Sequence, residues 1–349
     1  MSGPSTVMTG HGFYNQHSLE QALAAEAAIG MVQRASEVIP LDGTAVCCAD
    51  FGCAQGHNSM HPLRVLIEGV RRRASEVPIM VVHTDLPGND FTTLFRTLDD
   101  PTQSYLFGRK NVYGFAEGKG FYGNVFPDHL VAFGWCSIAT HWLSQVPTGL
   151  RDQIFSPLAS PEEKARWRDQ ANQDWSDFLT NRAREMKPGG EIVLVNRIAD
   201  DEGITGAEGI MSLANDVIRT LVDKGTITAE QHAKMALPTF YRTECEYLDP
   251  IQTGEFADRF EVIEHEVDVL PDAYYAETAA KGDSIGYGLA AAGFFRGFSE
   301  APLFGSLGQG GKPIADGFYA RLAALIARHP DQAKTSWRIM AMRIRRKDL

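Results

Sequence analysis

The sequence predicts an α/β fold in which a doubly wound sheet carries helices on its faces and an α-helical cap. The first observation is that apolar, strand-like runs mostly alternate with segments of helical periodicity through the first 200 residues. The second is a glycine-containing turn that connects the first of these runs directly to a helix over residues 62–74. This alternation is typical of parallel strands, because each needs a crossover connection that a helix usually supplies.

Further elements of the first half follow from local patterns. Four strands are expected where apolar runs occur, at residues 44–51, 78–83, 130–137 and 191–196. Ser160, followed by a proline and two glutamates, predicts the start of a helix that runs towards Met186. Helical spacing favours a helix over 18–35, whereas the segment 107–123 is rich in glycine and aromatic residues and is expected to be irregular.

The last third of the chain mixes helices with late strands. Residues 200–241 and 274–298 have largely helical patterns and are expected to cover the sheet as a cap. Apolar runs at 260–267 and 336–345 predict two more strands. No internal repeat and no long linker occurs, so one large domain or two closely packed ones are expected.

The charge balance limits the kind of partner. The 349 residues include 33 Lys and Arg against 44 Asp and Glu, which gives a net charge of −11. Such a surface argues against broad contact with nucleic acid or an anionic membrane. The one basic cluster, at 343–347, is expected to be a solvated edge. No run of about 18 apolar residues occurs, so no membrane span is expected.

Cysteine usage and the N-terminus indicate a cytoplasmic protein. The five cysteines have neither paired spacing nor a zinc-binding pattern, so reduced thiols are expected. The chain does not begin with a basic stretch followed by an apolar run, so no signal peptide is expected. The histidines lack ligand spacing, and no metal ion is expected.

The turn at residues 49–58, Ala-Asp-Phe-Gly-Cys-Ala-Gln-Gly-His-Asn, carries the clearest functional signal. Gly52 and Gly56 permit unusual backbone angles, and the helix that follows offers free N–H groups to an anionic group. The D-x-G-x-x-x-G spacing departs from the dinucleotide pattern G-x-G-x-x-G. Two interpretations stay open: a site for S-adenosylmethionine, whose ammonium group suits Asp50, or an ordinary pair of loop glycines.

Six short blocks, in register over roughly residues 11–200, resemble the SABATH methyltransferases, the salicylate, benzoate and theobromine group of plants. The blocks are Phe-Tyr at 13–14 with Ser18 and Gln21, the turn at 50–58, Asp-Leu-Pro-Gly-Asn-Asp-Phe at 85–91, Phe-Tyr-Gly-x-x-Phe-Pro at 121–127, His-Trp-Leu-Ser-Gln-Val-Pro at 141–147 and Arg-Ala-x-Glu-x-x-Pro-Gly-Gly at 182–190. A shorter cap and changes within the motifs make the chain resemble a bacterial relative, similar to the mycobacterial fatty acid O-methyltransferases.

The resemblance implies a class I, Rossmann-like carboxyl O-methyltransferase that uses S-adenosylmethionine and is usually a homodimer. By position, the residues expected to hold the cofactor are Ser18, Asp50, Gly52, Asn58, Asp85, Leu86, Gly120 and Phe121. Asp85 would accept both ribose hydroxyls, and Leu86 and Phe121 would sandwich the adenine. Gly120 replaces a family serine, so only a backbone contact is expected there.

The same resemblance implies how the acceptor binds. Gln21 and Trp142 stand where the family has two hydrogen-bond donors to the substrate carboxylate, and His141 is a further candidate. The expected substrate-binding residues are Tyr14, Gln21, Ile138, His141, Trp142, Met211 and Phe240. At Ile138, Met211 and Phe240 the family has larger or hydroxylated aromatic residues, so a deformable apolar pocket for a medium- or long-chain fatty acid is expected.

These expectations divide the chain into four parts. Residues 1–40 are a segment and helix that close the active site, and 41–200 are the S-adenosylmethionine-binding core. Residues 201–335 are the helical cap, with an interleaved core strand near 260–267, and 336–349 are the final core strand.

Other functions stay open at this point. Methylation of an aromatic acid, a sugar hydroxyl or a ring nitrogen is the first alternative, and a hydroxyl acceptor would need a base, for which His141 is the candidate. A nicotinamide-dependent oxidoreductase is compatible with the fold class, but the missing G-x-G-x-x-G counts against it. A catalytically silent partner-binding relative is a third possibility, against which the intact Gln21 and Trp142 argue.

Overall fold

A computed structural model describes residues 7–348, except for the side chain of Gln309. Residues 1–6 of the predicted N-terminal segment and Leu349 of the predicted final strand lie outside the described residues. The described chain is organised around a single seven-stranded sheet, with the strand order β3-β2-β1-β4-β5-β7-β6.

All six strands predicted from the sequence are present, and one more joins them. The strands are β1 Val46–Phe51, β2 Ile79–Asp85, β3 Val112–Gly118, β4 Val131–Ser137, β5 Met186–Arg197, β6 Phe260–Pro271 and β7 Ser336–Arg346. The first five run parallel, and β7 lies antiparallel between β5 and β6. Strand β1 is buried along its whole length, which explains why its sequence is continuously apolar rather than alternating.

The additional strand, β3, lies in the segment 107–123, which was wrongly expected to be irregular. It pairs in parallel with β2 along its whole length and forms one edge of the sheet. Because an edge strand is covered on fewer sides, Tyr113, Phe115 and Glu117 face outward and the apolar run that marks a buried strand is missing.

The helices surround the sheet and build the cap. They are α1 Phe13–Gln16, α2 Leu19–Glu26, α3 Ile29–Ser36, α4 Met60–Arg73, α5 Phe91–Leu98, α6 Pro161–Glu185, α7 Glu208–Asp223, α8 Ala229–His232, α9 Glu244–Gln252, α10 Ala273–Glu277, α11 Ser284–Phe304, α12 Gly311–Arg328 and α13 Pro330–Ala333. The predicted start of α6 is confirmed: the Ser160 side chain accepts from the Glu163 N–H, and the Glu163 carboxylate accepts from the Ser160 N–H.

Two helical expectations were incomplete. The helix expected over 18–35 is two helices, α2 and α3, which separate at Ala27 and Ala28. Alanine favours helices, so local propensity gives no sign of this break. Helix α12, which begins with Gly311, Lys312 and Pro313, was not predicted, because glycine and proline mask the helical pattern that follows.

Apolar layers lie on both faces of the sheet and inside the cap. Side chains from α2, α3 and α4 pack against one face, and side chains from α6 and α9 pack against the other. The cap has a core of its own, formed mainly by α7, α11 and α12. Within residues 7–348, no helix has both the length and the apolar character that crossing a membrane requires.

The basic cluster at 343–347 is not the solvated edge that was expected. Strand β7 is an interior strand, and Arg343 and Arg346 are buried. The fully buried Glu191 carboxylate lies 3.0 Å from Arg343 Nη1 and 2.8 Å from Arg345 Nη2. Two guanidinium groups therefore compensate the charge of one buried carboxylate, as a buried ion requires.

Candidate active site

Polar side chains gather at the carboxyl ends of the parallel strands, which all lie along the same edge of the sheet. Asp50 is the last residue but one of β1, and Asp85, Ser137 and Arg197 are the last residues of β2, β4 and β5. Ligands of open α/β folds bind in the crevice beyond the carboxyl ends of the strands. This edge is therefore the expected location of the active site.

The predicted strand–turn–helix at 49–58 is confirmed. Its glycines adopt a left-handed backbone, and they occupy positions where a side chain would collide with its neighbours. Gly52 has φ 79° and Gly56 has φ 85°, in the left-handed region that favours glycine. A Cβ on Gly52 would lie 2.7 Å from Ala139 Cβ, and one on Gly56 would lie 2.5 Å from Leu94 Cδ1. Neither position has room for a side chain.

A buried chain of hydrogen bonds begins at Asp50. Its Oδ2 lies 2.7 Å from His83 Nδ1, and His83 Nε2 lies 2.8 Å from the Tyr105 hydroxyl. Asp50, Cys53 and His83 bring possible metal-ligating atoms within 4.8 Å of one another. Both ring nitrogens of His83 are already hydrogen-bonded, however, and burial raises the pKa of the Cys53 thiol well above its usual range. The group is therefore suited to orienting Asp50 rather than to holding a metal.

Asp85 is held by backbone donors. Its Oδ2 accepts from the Ala54 N–H at 2.7 Å, and its Oδ1 accepts from the Leu86 N–H at 2.8 Å. Burial nevertheless raises the pKa of this carboxyl to about 6, and the charge of nearby Asp50 acts in the same direction. A ligand that donates hydrogen bonds to Asp85 would favour its ionised form.

Asp85 lies on the wall of a cavity of about 750 Å³, here called the outer cavity. Gly52, Leu86, Gly120 and Phe121 line it as well, so five of the expected cofactor residues meet there. A Cβ on Gly120 would lie 3.2 Å from Leu86 Cδ2, so a larger side chain would crowd this wall.

A narrow cleft of about 20 Å³, here called the turn cleft, adjoins the outer cavity. It is lined by Asp50, Asn58 and Gln21 among others, and it shares Gly52 and Ser137 with the outer cavity. Asn58 Oδ1 and Ser137 Oγ are buried without a hydrogen-bond partner among the described residues. Unpaired polar atoms beside a carboxylate suit the amino-acid end of S-adenosylmethionine.

A third space, the inner cavity, has a volume of about 30 Å³ and is also lined by Trp142. It shares Tyr14, Ile138 and Trp142 with the outer cavity, and Gln21 lines both it and the turn cleft. Its remaining walls are formed mainly by His141, Arg197, Tyr241, Phe294, Phe298 and Trp337. A group bound here would be next to a group bound in the outer cavity.

Ile138 lines both the outer and the inner cavity and has a strained backbone. Its φ of 52° is unusual for a β-branched residue. The conformation is held by a 2.7 Å hydrogen bond from the Ile138 N–H to the Val195 carbonyl of β5. Strain of this kind costs about 1–3 kcal/mol and is found mainly at functional sites.

His141 is buried and electrically neutral. Burial lowers its pKa to about 3, and the nearby positive charges of Arg197 and Arg242 act in the same direction. Its ring stacks on Tyr241 at a centroid distance of 5.2 Å, and its Nδ1 has no hydrogen-bond partner among the described residues. The side chain can therefore donate or accept a hydrogen bond but is a weak base.

Three expected residues lie outside both cavity walls and the turn cleft. Ser18 is buried at the start of α2, where its hydroxyl lies 3.5 Å from the Asn15 carbonyl. Met211 is buried in the core of the cap. Phe240 packs on a small separate cluster around Leu143, while its neighbour Tyr241 faces the inner cavity. Two of the three positions from which an apolar acceptor pocket was predicted therefore line neither cavity.

The structure adds residues that the sequence analysis missed. His83 is the last residue of the predicted strand 78–83, and Arg197 directly follows the predicted strand 191–196. Their position at the carboxyl end of a strand could have identified both as candidate site residues. Tyr241 was missed because the register was taken one residue too early, at Phe240. Phe294, Phe298 and Trp337 come from elements far along the chain, and no local pattern indicates that they meet.

Comparison with known proteins gives the family. The sequence matches the family model described as SAM dependent carboxyl methyltransferase over residues 6–347. It is 27% identical over 291 residues to indole-3-acetate O-methyltransferase 1 of Oryza sativa, covering 73% of this chain and 72% of that protein. It is 27% identical over 324 residues to salicylate carboxymethyltransferase of Clarkia breweri, covering 87% and 86%.

The fold agrees with this result. A solved structure of loganic acid methyltransferase with S-adenosylhomocysteine superposes with a TM-score of 0.79 at 22% identity, covering 98% of this chain and 99% of that one. The predicted class I methyltransferase fold and S-adenosylmethionine as cofactor are thereby confirmed. The chain belongs to the SABATH family of S-adenosylmethionine-dependent carboxyl methyltransferases.

Proposed function

We propose that the enzyme binds S-adenosylmethionine across the outer cavity and the turn cleft, and a free carboxylic acid in the inner cavity. Asp85, Leu86 and Phe121 would hold the adenosine part, and Asp50 and Asn58 the amino-acid part. The observation that carries the proposal is that Tyr14, Ile138 and Trp142 line both cavities, so the two ligands would meet across these side chains.

The chemistry needs little from the protein beyond positioning. Bound S-adenosylmethionine supplies a methyl group on a positively charged sulfur, and its transfer to a carboxylate oxygen gives a methyl ester and S-adenosylhomocysteine. A carboxylate is already ionised at neutral pH, so no general base is required. The side chains around the inner cavity would contribute by orienting the acid and excluding water.

Gln21 and Trp142 are the proposed orienting residues. Gln21 is almost fully buried and lines both the inner cavity and the turn cleft. Trp142 lines both the outer and the inner cavity. The amide and indole N–H groups are neutral donors, so they would fix the direction of a carboxylate without removing its negative charge. A charge-neutralising contact at the reacting oxygen would weaken its nucleophilicity.

The state of His141 favours a carboxylate over a hydroxyl acceptor. A hydroxyl group must lose its proton during methyl transfer, and efficient general bases have pKa values near the working pH. The pKa of His141 is lowered to about 3 by burial, so it would accept that proton poorly. Methylation of a sugar hydroxyl is therefore the weaker alternative.

The acceptor class is the finer part of the proposal. An aliphatic acid is supported by apolar side chains at Ile138, Phe294 and Phe298 on the inner cavity, but the cavity volume of about 30 Å³ favours a shorter chain than the medium- or long-chain fatty acid predicted from the sequence. Met211 and Phe240 do not support the fatty acid hypothesis, because neither lines the inner cavity. An aromatic acid is supported by the same aromatic walls and by the names of the relatives, which refer to salicylate and indole-3-acetate.

A panel of free acids with labelled S-adenosylmethionine tests the proposal. We expect label in a product that mild alkali releases, because esters hydrolyse under these conditions whereas ethers and N-methyl groups do not. Octanoate, benzoate and salicylate in the panel compare the aliphatic and aromatic classes. Alkali-stable label on a sugar or ring nitrogen, with none on any acid, would contradict carboxyl methylation.

The cytoplasmic location and the homodimer stay proposals based on the sequence and the family. Light scattering of the purified protein measures the mass in solution, and a mass of one chain would contradict the dimer. Cell fractionation tests the location.

A further inference from the structure

Arg197 places a positive charge on the wall of the inner cavity. It is the last residue of β5 and is 4% exposed. Its guanidinium carbon lies 4.4 Å from the ring centre of Trp337 and 5.0 Å from that of Tyr241. These rings hold the cation in place at the cavity wall, which it shares with Gln21 and His141.

Arg197 has no carboxylate partner for its buried charge. Its Nη2 donates to the Thr205 carbonyl at 3.3 Å, and its side chain also donates a hydrogen bond to Tyr241, while its Nε has no hydrogen-bond partner among the described residues. None of the carboxylates in residues 7–348 forms an ion pair with it within 4.0 Å. Leaving a buried charge uncompensated is costly, so an anionic group from outside the chain would stabilise this arrangement.

Two carboxylates, those of Glu20 and Glu208, act electrostatically on Arg197. Glu20 Oε1 accepts from the Ala273 N–H and its Oε2 has no hydrogen-bond partner among the described residues, but burial raises the pKa of Glu20 to about 7, so it is only partly ionised near neutral pH. Glu208 accepts from both the backbone N–H and the hydroxyl of Thr205. Neither carboxylate provides a complete counter-charge for Arg197.

The residues that line the inner cavity differ in whether they also border the other two spaces. Gln21 and Trp142 also border the spaces assigned to the cofactor, whereas Arg197, His141 and Tyr241 line the inner cavity alone. An acid with its reacting carboxylate at Gln21 and Trp142 would therefore direct its other end towards Arg197. The small volume, about 30 Å³, favours a short molecule.

We propose that Arg197 binds a second anionic group of the acceptor, and that the preferred substrate is a short dicarboxylic acid. This inference rests on the proposed carboxyl methylation. One carboxylate, held by Gln21 and Trp142, receives the methyl group, and the other stays ionised against Arg197. The product is the monomethyl ester, because the end bound at Arg197 lies away from the cofactor.

Arg242 is a second buried arginine whose Nε, like that of Arg197, has no hydrogen-bond partner among the described residues. It is fully buried, and its Nη1 donates to the Thr140 carbonyl at 2.8 Å while its Nη2 donates to the Ala171 carbonyl. It lines neither cavity. It is therefore a matched control for the loss of a buried guanidinium.

The test compares acids of equal chain length that differ in the second carboxylate: succinate with butyrate, glutarate with valerate and adipate with hexanoate. At least one diacid should exceed its partner in kcat/KM by about tenfold or more, the value of a hydrogen bond to a buried charge. Arg197→Met should reduce that ratio to about one or below, mainly through KM. Arg197→Lys should retain part of the preference, and Arg242→Met should lower the melting temperature without changing the ratio.

The outcomes separate this inference from the proposed function. Monocarboxylates methylated as well as or better than every diacid by the wild type would overturn the role of Arg197 and leave carboxyl methylation intact. An unchanged ratio in Arg197→Met, with normal S-adenosylhomocysteine binding, would also overturn it. Absence of ester from all acids would reject the proposed function itself. The wild-type ratio decides the question even if Arg197→Met fails to fold.

Discussion

Asp50 and His83, at the ends of neighbouring strands, are joined by a buried 2.7 Å hydrogen bond. Both side chains are almost completely inaccessible to solvent, and His83 is in turn fixed by the Tyr105 hydroxyl. The direction of the Asp50 carboxylate is thus set by two other side chains. His83 is a positioning residue, since it acts on the proposed cofactor site only through Asp50.

Replacing His83 by leucine should therefore weaken cofactor binding as well as stability. The Asp50 carboxylate would lose its partner while staying buried, which costs about 2 kcal/mol or more. Calorimetry should show S-adenosylhomocysteine affinity reduced at least about tenfold, while Tyr105→Phe, which keeps the ring, should have a smaller effect. Wild-type affinity in His83→Leu would contradict the positioning role.

The raised pKa of Asp85 predicts a pH dependence of cofactor binding. Ribose hydroxyls donate to the ionised carboxylate, whose pKa in the free protein is about 6, so affinity for S-adenosylhomocysteine should rise between pH 5 and pH 7. Because the pKa is raised in the folded state, the contribution of Asp85 to the stability of the free protein is present below pH 4 and is lost as pH rises through about 6.

Calorimetry and melting curves across this pH range check the Asp85 prediction. Asp85→Asn should remove most of the pH dependence of affinity, and Asp85→Ala should lose most of the binding. Glu20, whose pKa is raised to about 7, adds its own slope to the melting curves, so the comparison with Asp85→Asn isolates the part due to Asp85. A binding constant that does not vary with pH in the wild type would contradict the assignment.

The proposed carboxylate donors predict a selective loss of turnover. Gln21→Ala and Trp142→Phe should each lower kcat/KM by about tenfold or more, because each removes a hydrogen bond to a charged group. Affinity for S-adenosylhomocysteine should stay nearly unchanged. Gln33→Ala is the control, since Gln33 is exposed on α3. Activity equal to the wild type in both active-site variants would reject the assignment.

The turn glycines allow the cost of a left-handed backbone to be separated from the cost of steric crowding by a side chain. Gly52 and Gly203 have nearly the same φ, 79° and 81°, but only Gly52 is crowded, since nothing lies within 4 Å of a Cβ built on Gly203. Gly203→Ala should therefore cost about 1–2 kcal/mol from the left-handed backbone alone. Gly52→Ala should cost clearly more and should also reduce S-adenosylhomocysteine binding. Equal melting temperatures and affinities in the two variants would contradict this account.

The structure gives Met211 a different role from the one predicted from the sequence. As a tunnel residue, Met211 would limit the chain length of the acceptor, and a larger side chain would shift that limit. In the structure it is buried in the cap core at 2% exposure, where extra volume is destabilising. A chain-length argument now depends on Ile138, Phe294 and Phe298, which line the inner cavity.

The sequence by itself determined the features that local patterns carry. Buried parallel strands are continuously apolar, the turn at 49–58 needs its glycines, and Ser160 caps a helix through neighbours in the chain. These signals depend on residues only a few positions apart. The family blocks extended them to the proposed cofactor residues, because the order and spacing of the blocks are visible in the chain.

Only the tertiary structure decided which side chains share a cavity. Arg197 at the end of β5, Phe294 in α11 and Trp337 in β7 are distant in sequence and meet because the sheet order brings β7 beside β5. A shift of one residue exchanges inward and outward faces of an extended segment, which is why Tyr241 rather than Phe240 lines the inner cavity. The polarity of the inner cavity depends on these long-range contacts, and no local pattern contains them.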